Sequence, residues 1–521
     1  MTARSLYRGG RIYSPADPRA TALLVDDGRI AWLGEDADAP AADETVELGG
    51  ALVTPAFVDA HVHITDTGLT IDGLDLTGTR SSAEVLDAVA AFATGQPADA
   101  VVLGHGWDES GFADGRPPTA EELDRAGGGR RVYLSQACMH SAVVSTALLA
   151  AAPEASAAPG FDASGWLRRD AHHVVRDIAG RAISAAQRRG AQLTALRHAA
   201  SLGIAAIHEC AGPGTSGEDD LTSLLALAAD GGVPRVFGYW GELGAATKAR
   251  ELGAVGAAGD LYADGALGSQ TAHLSSPYLD AGGGCGYGYL TTEQVTEHVV
   301  DCVRHGVQAG FHAIGDAAIR TVLAGYAAAA ATVGLDRLRA GRHRVEHVEI
   351  VDRGLIRQLV ELGVVASMQP AFDRLWGGED GMYAQRLGVA RSMASNPIGA
   401  MAGVGVALAF GSDSPVTPLD PWGTVLAATR HHNPAQRISV RKAFAAHTRG
   451  GWRAVHRDDD GVLAPGAAAT FAVWDGLTDL ASVGASLGAG PGTGLGADAP
   501  LPACRRTVLD GRVIYDVEES A

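Results

Sequence analysis

Ala51-Leu-Val-Thr-Pro-Ala-Phe-Val-Asp-Ala60 runs straight into His61-Val62-His63. The run is apolar and rich in strand formers, and it ends on two histidines one residue apart. Successive side chains of a strand point to opposite faces, so His61 and His63 leave the strand end on the same side. Neutral imidazole is the commonest protein ligand for zinc and related metals, so such a pair offers half a ligand set. Alone, the pair is weak evidence in a chain of 18 histidines. It gains weight from His312, His347 and Asp413, each of which also lies at the end of a strand-like run.

Outward from that point, short apolar runs alternate with longer Ala-rich helical stretches, the pattern of βα units and a parallel sheet. The candidate strands are Phe57–His63, Ile204–Glu209, Arg235–Trp240, Asp260–Asp264, Val307–His312, Arg344–Glu349, Val364–Gln369 and Val406–Asp413. Eight is the number that closes a (β/α)8 TIM barrel, so an α/β fold of that kind is expected. The interval between the first two runs is about four times the usual βα repeat of roughly 30 residues. It contains strand-like Val101–Trp107 and Arg131–Ser135, and residues 65 to about 200 read as an insertion after the first barrel strand.

Both ends of the chain have a different texture, with short β-forming runs around Asp-Gly and Gly-Gly turns. Residues 1–54 and 455–521 are expected to build one small β-sandwich domain, leaving 55–454 for the barrel. The Gly/Ala-rich stretch from Ser482 to Pro500 reads as a mobile loop.

Bulk properties narrow the function classes. A chain of 521 residues is too long for one compact core, and 46% hydrophobic with 19% charged residues is ordinary for a globular protein. A formal charge of −19 argues against a non-specific grip on nucleic acid or anionic lipid. The five cysteines are scattered and never form Cys-x-x-Cys, which predicts reduced thiols and a cytoplasmic setting. No apolar run reaches membrane-spanning length and the first residues lack a signal core. The expected partner is a small-molecule substrate, with neither nucleic acid nor membrane; a homodimer is a fold-level expectation.

In a barrel of this type the reacting groups sit at the C-terminal ends of the strands. Any one of these histidines would ordinarily be a core or surface residue. Five ligand-type residues at the ends of four strands point instead to a hydrolytic metal site.

Longer motifs surround these residues. Pro55-Ala-Phe-Val-Asp-Ala-His-Val-His63 resembles the Pro-Gly-Phe-Ile/Val-Asp-x-His-x-His signature of the amidohydrolase superfamily. Tyr262-Ala-Asp-Gly-Ala-Leu-Gly-Ser-Gln-Thr-Ala272, Phe311-His-Ala-Ile-Gly-Asp316, His343-Arg-Val-Glu-His347, Phe410-Gly-Ser-Asp-Ser-Pro-Val416 and Ala443-Phe-Ala-Ala-His-Thr-Arg-Gly-Gly451 resemble motifs of its amidohydrolase family 3 branch. The likeness covers nearly the whole chain, both β-rich ends included.

The resemblance implies a metal-dependent hydrolase of non-peptide carbon–nitrogen bonds, with a divalent cation, zinc by expectation, in one site and an optional second. Carried over, His61 and His63 are ligands of the first metal, and Asp413 is ligand and proton shuttle for attack by a metal-activated water. His312 and His347 are ligands of a second metal or, in one-metal relatives, ligands and substrate-polarising groups. Many relatives carry a Lys, often carboxylated to bridge two metals, where this chain has Asp260. Asp is several ångströms shorter, which leaves its bridging role open; Glu209 is a longer alternative carboxylate or a solvated acid. The insertion residues Trp107, Asp108 and His140, and Trp240, Gln369 and Trp376 after barrel strands, are candidate substrate contacts, with core packing an equal reading for each Trp. An amide or N-acyl or N-formimidoyl small molecule is the leading substrate class. A deaminase or cyclic-amidine hydrolase of the same fold is the alternative, and a scaffold without catalysis is the reading from another class.

Overall fold

The computed structural model describes residues 4–113, 115–137, 141–480, 483 and 501–520. They form two compact units, Met1–His63 with Leu196–Ala521, and Ile64–Ala195.

The first unit contains eight parallel strands: β1 (Phe57–Val62), β2 (Ile204–Ala211), β3 (Arg235–Trp240), β4 (Gly256–Ala257), β5 (Gln308–Ala313), β6 (Arg344–His347), β7 (Val365–Met368) and β8 (Ala407–Phe410). Each pairs with the next in chain order. Every residue of β1 and β2 is buried, as expected for parallel strands covered on both faces. The ring is drawn together behind β8, where Asp413 N donates to His61 O at 2.7 Å and His63 N to Ser414 O at 2.9 Å. This is a (β/α)8 TIM barrel with additional sheets.

Local chemistry sets the helices around it. In Thr292–His305, Thr291 and Gln294 form a reciprocal capping box and Gly306, at φ 68°, ends the helix. Val295, His298, Val299 and Cys302 recur at helical spacing and form its buried stripe.

The fourth strand differs from the sequence reading. Asp260–Asp264 was expected to be the strand, but β4 is Gly256–Ala257 and Gly259 turns away at φ 80°. A Cβ on Gly259 would lie 3.1 Å from Cys210 Cβ, so both conformation and space favour glycine there. Beyond the turn the chain rejoins β5 through one bridge, Tyr262 to His312, which explains the strand-like pattern.

The chain ends supply two further sheets. Ser5–Arg8, Ala22–Asp26, Arg29–Gly34 and Glu44–Glu47 form one. Arg11–Ile12, Leu52–Pro55, Phe471–Asp475, Ala503–Leu509 and Arg512–Asp516 form the other. Tyr7, Leu23, Ile30, Val53, Phe471 and Val508 share one core, so early and late segments depend on each other. The stretch Ser482 to Pro500 lies outside the described residues apart from Val483.

The second unit has its own five-stranded sheet, in the order Trp166–Arg168, Ser141–Val144, Val132–Gln136, Val102–Trp107, Leu74–Asp75. Among the described residues no helix is long and apolar enough to cross a membrane. Cys210, Cys285, Cys302 and Cys504 are free thiols, and Cys138 lies outside the described residues.

Candidate metal centre

His61 is the next-to-last residue of β1 and His63 the first beyond it, so alternation sends both inward. His312 is next to last in β5, and Asp260 and Asp413 each lie three residues past a strand end. His347, the last residue of β6, requires more. Arg344 and Glu346 share one face of that strand, so regular alternation would carry His347 to the other. Left-handed conformations at His347 (φ 70°) and Val348 (φ 51°) break the alternation at this point. Such conformations in non-glycine residues cost about 1–3 kcal/mol each and cluster at functional sites. Asp413 is also left-handed, at φ 59°.

These side chains meet. Asp413 Oδ1 is 3.3 Å from His61 Nε2 and 3.2 Å from His63 Nε2. Asp260 reaches all four imidazoles, at 3.5 Å from His61, 3.3 Å from His63, 3.7 Å from His312 and 3.9 Å from His347. The short side chain spans the centre because the Gly259 turn brings its backbone inward. Among the described residues four ligand sets have their atoms within 4.8 Å of one another: His61–His347–Asp413, His61–His63–Asp260, Asp260–His312–His347 and, on the outer side of His61, His61–Cys210–Glu346.

The outer ring nitrogens are already engaged. His61 Nδ1 donates to Glu346 Oε2 at 2.9 Å, His347 Nδ1 to Gln369 Oε1 at 2.8 Å and His312 Nε2 to Gly265 O at 3.2 Å. An imidazole that donates on one side presents a lone pair on the other unless it is protonated. Accordingly, His61 Nε2, His312 Nδ1 and Asp260 Oδ1 are buried without a hydrogen-bond partner. Leaving such atoms unmatched is costly, and a cation among them would satisfy all three.

Electrostatics point the same way. Burial works against charge on His61 and His63, yet Cys210 beside His61, together with Asp260 and Asp413 beside both, holds the imidazoles well above their ordinary value. Burial likewise opposes ionisation of the two carboxylates, but the surrounding histidines hold both below the usual range. The centre therefore attracts positive charge, as protons or as a metal ion. Asp59, buried beneath, is pushed up to about 6 by burial, partly offset by hydrogen bonds from Ser412 and His61. It accepts from Ser412 N at 2.9 Å and His61 N at 3.2 Å, tying the segment after β8 to β1.

Residues 44–515 match the model of the amidohydrolase family. The chain belongs to that family. Membership makes it a hydrolase acting on carbon–nitrogen bonds. Among proteins similar to it, the putative amidohydrolase YtcJ of Bacillus subtilis is 25% identical over 98% of this chain and 99% of its own. Protein LONG AFTER FAR-RED 3 of Arabidopsis thaliana is 27% identical over 91% of this chain and 88% of its own. The crystal structure of an uncharacterized metal-dependent hydrolase from Pyrococcus furiosus superposes with a TM-score of 0.77 at 26% identity. That match covers 92% of this chain and all of the other.

Within this amidohydrolase, six other sequence candidates lie elsewhere or play other parts, and a seventh lies outside the described residues. Glu209 sits between His208, which contacts Arg344, and Cys210, which contacts His61. Alternation therefore turns Glu209 to the opposite face of β2, and it joins none of the ligand sets. Trp107 is fully buried in the core of the second unit, with Nε1 donating to Leu134 O at 2.9 Å, so packing is its role. Asp108 caps a turn through Ser110 N. Trp240 is buried, with Nε1 donating to Glu242 Oε2 at 2.7 Å. Gln369 is buried against His347. Trp376, partly exposed, packs on Phe372, whose ring stacks over His347. His140 lies outside the described residues.

Sequence reasoning missed Arg344, Glu346, Cys210 and Asp264. Arg344 is wholly buried and grips Glu346 through two contacts, Nε to Oε1 at 2.5 Å and Nη2 to Oε2 at 2.7 Å. The alternation Arg344-Val345-Glu346 was the available signal. Asp264 accepts from the backbone N–H groups of His273, Ile314 and Gly315, fixing the segments on either side of His312.

Proposed function

We propose that the protein hydrolyses an amide, N-acyl or N-formimidoyl linkage of a small molecule with one tightly held divalent cation, zinc by preference. His61, His63 and Asp413 hold it, Asp260 lies alongside, and His312 with His347 offers a second, looser position. One observation carries this reading: the inward atoms of His61, His312 and Asp260 are buried without a hydrogen bond and converge, Asp260 Oδ1 lying 3.5 and 3.7 Å from the two imidazole nitrogens. When bound, such a cation lowers the pKa of a coordinated water from 15.7 to about 7, supplying a nucleophile at neutral pH.

The chain's own groups do the rest. Asp413 is ionised at neutral pH, because the neighbouring histidines more than offset its burial. It takes the proton of the attacking water and returns it to the leaving nitrogen. His312 and His347 donate through their outer nitrogens to protein acceptors. Their inward lone pairs suit ligation better than donation to an oxyanion.

The test joins metal analysis to a substrate screen. Purified protein is expected to hold one tight equivalent per chain, and two tight equivalents would refute the one-cation reading. Zinc- and manganese-loaded protein is then assayed on N-acyl amino acids, N-formimidoyl compounds and cyclic amides. Carboxylate release supports the amidase reading, whereas ammonia release from amidines or aminated rings replaces it with a deaminase. Asp413→Asn is expected to keep the fold and lose turnover by about 10²–10⁴-fold. A near-normal rate in that variant removes Asp413 from the mechanism.

A further inference from the structure

We infer that Glu346, pinned by Arg344, makes the His61–His63 half of the centre the tighter cation position, filled before the His312–His347 half. The inference rests on the metal-centre reading above and adds an order of loading with a residue responsible for it.

The two halves differ in what stands behind their histidines. His61 donates to a carboxylate, Glu346 Oε2 at 2.9 Å. His347 donates to a neutral amide, Gln369 Oε1 at 2.8 Å, and His312 to a neutral carbonyl, Gly265 O at 3.2 Å. An anionic acceptor draws the imidazole proton outward and enriches the inner nitrogen, so the ligand becomes more basic. Of the three, His61 alone hydrogen-bonds a carboxylate; buried Asp264 Oδ1 stands 3.9 Å from His312 Nε2, too far for a hydrogen bond.

Carboxylates in front of the histidines bias the centre in the same direction. Asp413 stands 3.3 Å from His61 and 3.2 Å from His63. Asp260 reaches those two at 3.5 and 3.3 Å, but His312 and His347 only at 3.7 and 3.9 Å. The first half thus has two carboxylates at 3.2–3.5 Å and a hydrogen-bonded carboxylate behind His61. The second has Asp260 at 3.7–3.9 Å, Asp413 within 4.8 Å of His347, neutral outer acceptors and Asp264 no closer than 3.9 Å.

Arg344 gives Glu346 a fixed position. The guanidinium and the carboxylate are both wholly buried, and Arg344 Nη2 also donates to Ala60 O at 2.6 Å and Ser367 Oγ at 2.8 Å. Those bonds tie Glu346 to β1 and β7 at once, so the acceptor cannot swing away from His61. Cys210 Sγ packs 3.4 Å from the same His61 nitrogen. Glu346 is therefore a positioning residue, acting on the cation only through His61.

The experiment titrates metal-free full-length protein with zinc against a chromophoric chelator and repeats the titration with cobalt, whose absorption reports the ligand set. The wild type is expected to bind in two separable steps. His347→Ala is expected to abolish the second step and leave the first. Because Glu346→Gln alone strands the Arg344 charge, the paired variant Arg344→Met with Glu346→Gln is used. Its first step is expected to weaken 10–100-fold, the range for loss of a ligand's outer partner, with the second step unchanged. Gln369→Glu, which gives His347 an anionic acceptor, is expected to tighten the second step. Three results overturn the inference: His347→Ala losing the first step, a first step in the paired variant within threefold of wild type, or both steps weakening equally. Wild-type protein that binds no cation removes the metal reading and the inference together, whereas normal wild-type binding with insensitive variants removes the inference alone.

Discussion

Asp260 is the residue on which sequence and structure give the sharpest quantitative expectation. Asp260→Asn keeps the side-chain volume and the contact with the Tyr262 hydroxyl, 3.2 Å away, while removing one negative charge from the middle of the centre. The carboxylate lies 3.3–3.9 Å from ring nitrogens of His61, His63, His312 and His347, so a cation held by any of them feels it at that range. Two unit charges about 4 Å apart at an effective dielectric near 20 interact by about 4 kcal/mol, and a divalent ion doubles this. At about 1.4 kcal/mol per decade, the unit-charge figure alone sets the expected loss in affinity for the first cation at no less than about three orders of magnitude. Chelator competition measures this directly, with far-UV circular dichroism to confirm that the fold persists. Glu209→Gln is the matched control: it neutralises the other candidate carboxylate, which faces away, and is expected to bind metal as the wild type does. An Asp260→Asn protein whose dissociation constant stays within tenfold of wild type would show that the residue does not serve the cation.

Two further expectations follow from the same geometry. Against the opposing effect of burial, His61 and His63 are raised well above their unfolded value of 6.5, His61 by Cys210, Asp260 and Asp413 and His63 by Asp260 and Asp413. Groups raised in this way stabilise the fold fully below pH 6.5 and lose that contribution as pH rises through their folded values. Metal-free protein should therefore melt at lower temperature at pH 9 than at pH 6, while the gain in Tm on adding zinc grows over that interval; scanning fluorimetry with equal gains at both pH values would contradict this. Gly259→Ala, at φ 80° and crowding Cys210, is expected to cost about 1–3 kcal/mol in urea unfolding and to weaken metal binding, because that turn carries Asp260. Gly405→Ala, at φ 83° with nothing within 4 Å, should show the conformational cost without any change in metal binding.

Much of the centre was legible because period and position are local properties. His61-Val62-His63 announces its geometry through strand alternation alone, and His312 falls where a barrel strand ends. For Glu209 the residue type and strand were readable but the choice between ligand and other acid was not, because its face follows from which neighbours of β2 point inward. Trp107 shows the other limit, since an aromatic beside polar residues reads equally as pocket or core until its burial is known.

Sequence by itself determined the α/β alternation, the eight barrel strands within a few residues and the histidines and aspartates that meet. Those features rest on residue type, period and longer motifs, all carried by the chain order. Tertiary structure alone decided that Asp260 reaches four imidazoles, that His347 turns inward at a left-handed backbone, and that Glu346 and Arg344 stand behind His61. Each depends on a turn or on contacts between residues far apart in the chain. Such contacts are fixed only when burial and charge are satisfied together, which no local pattern records.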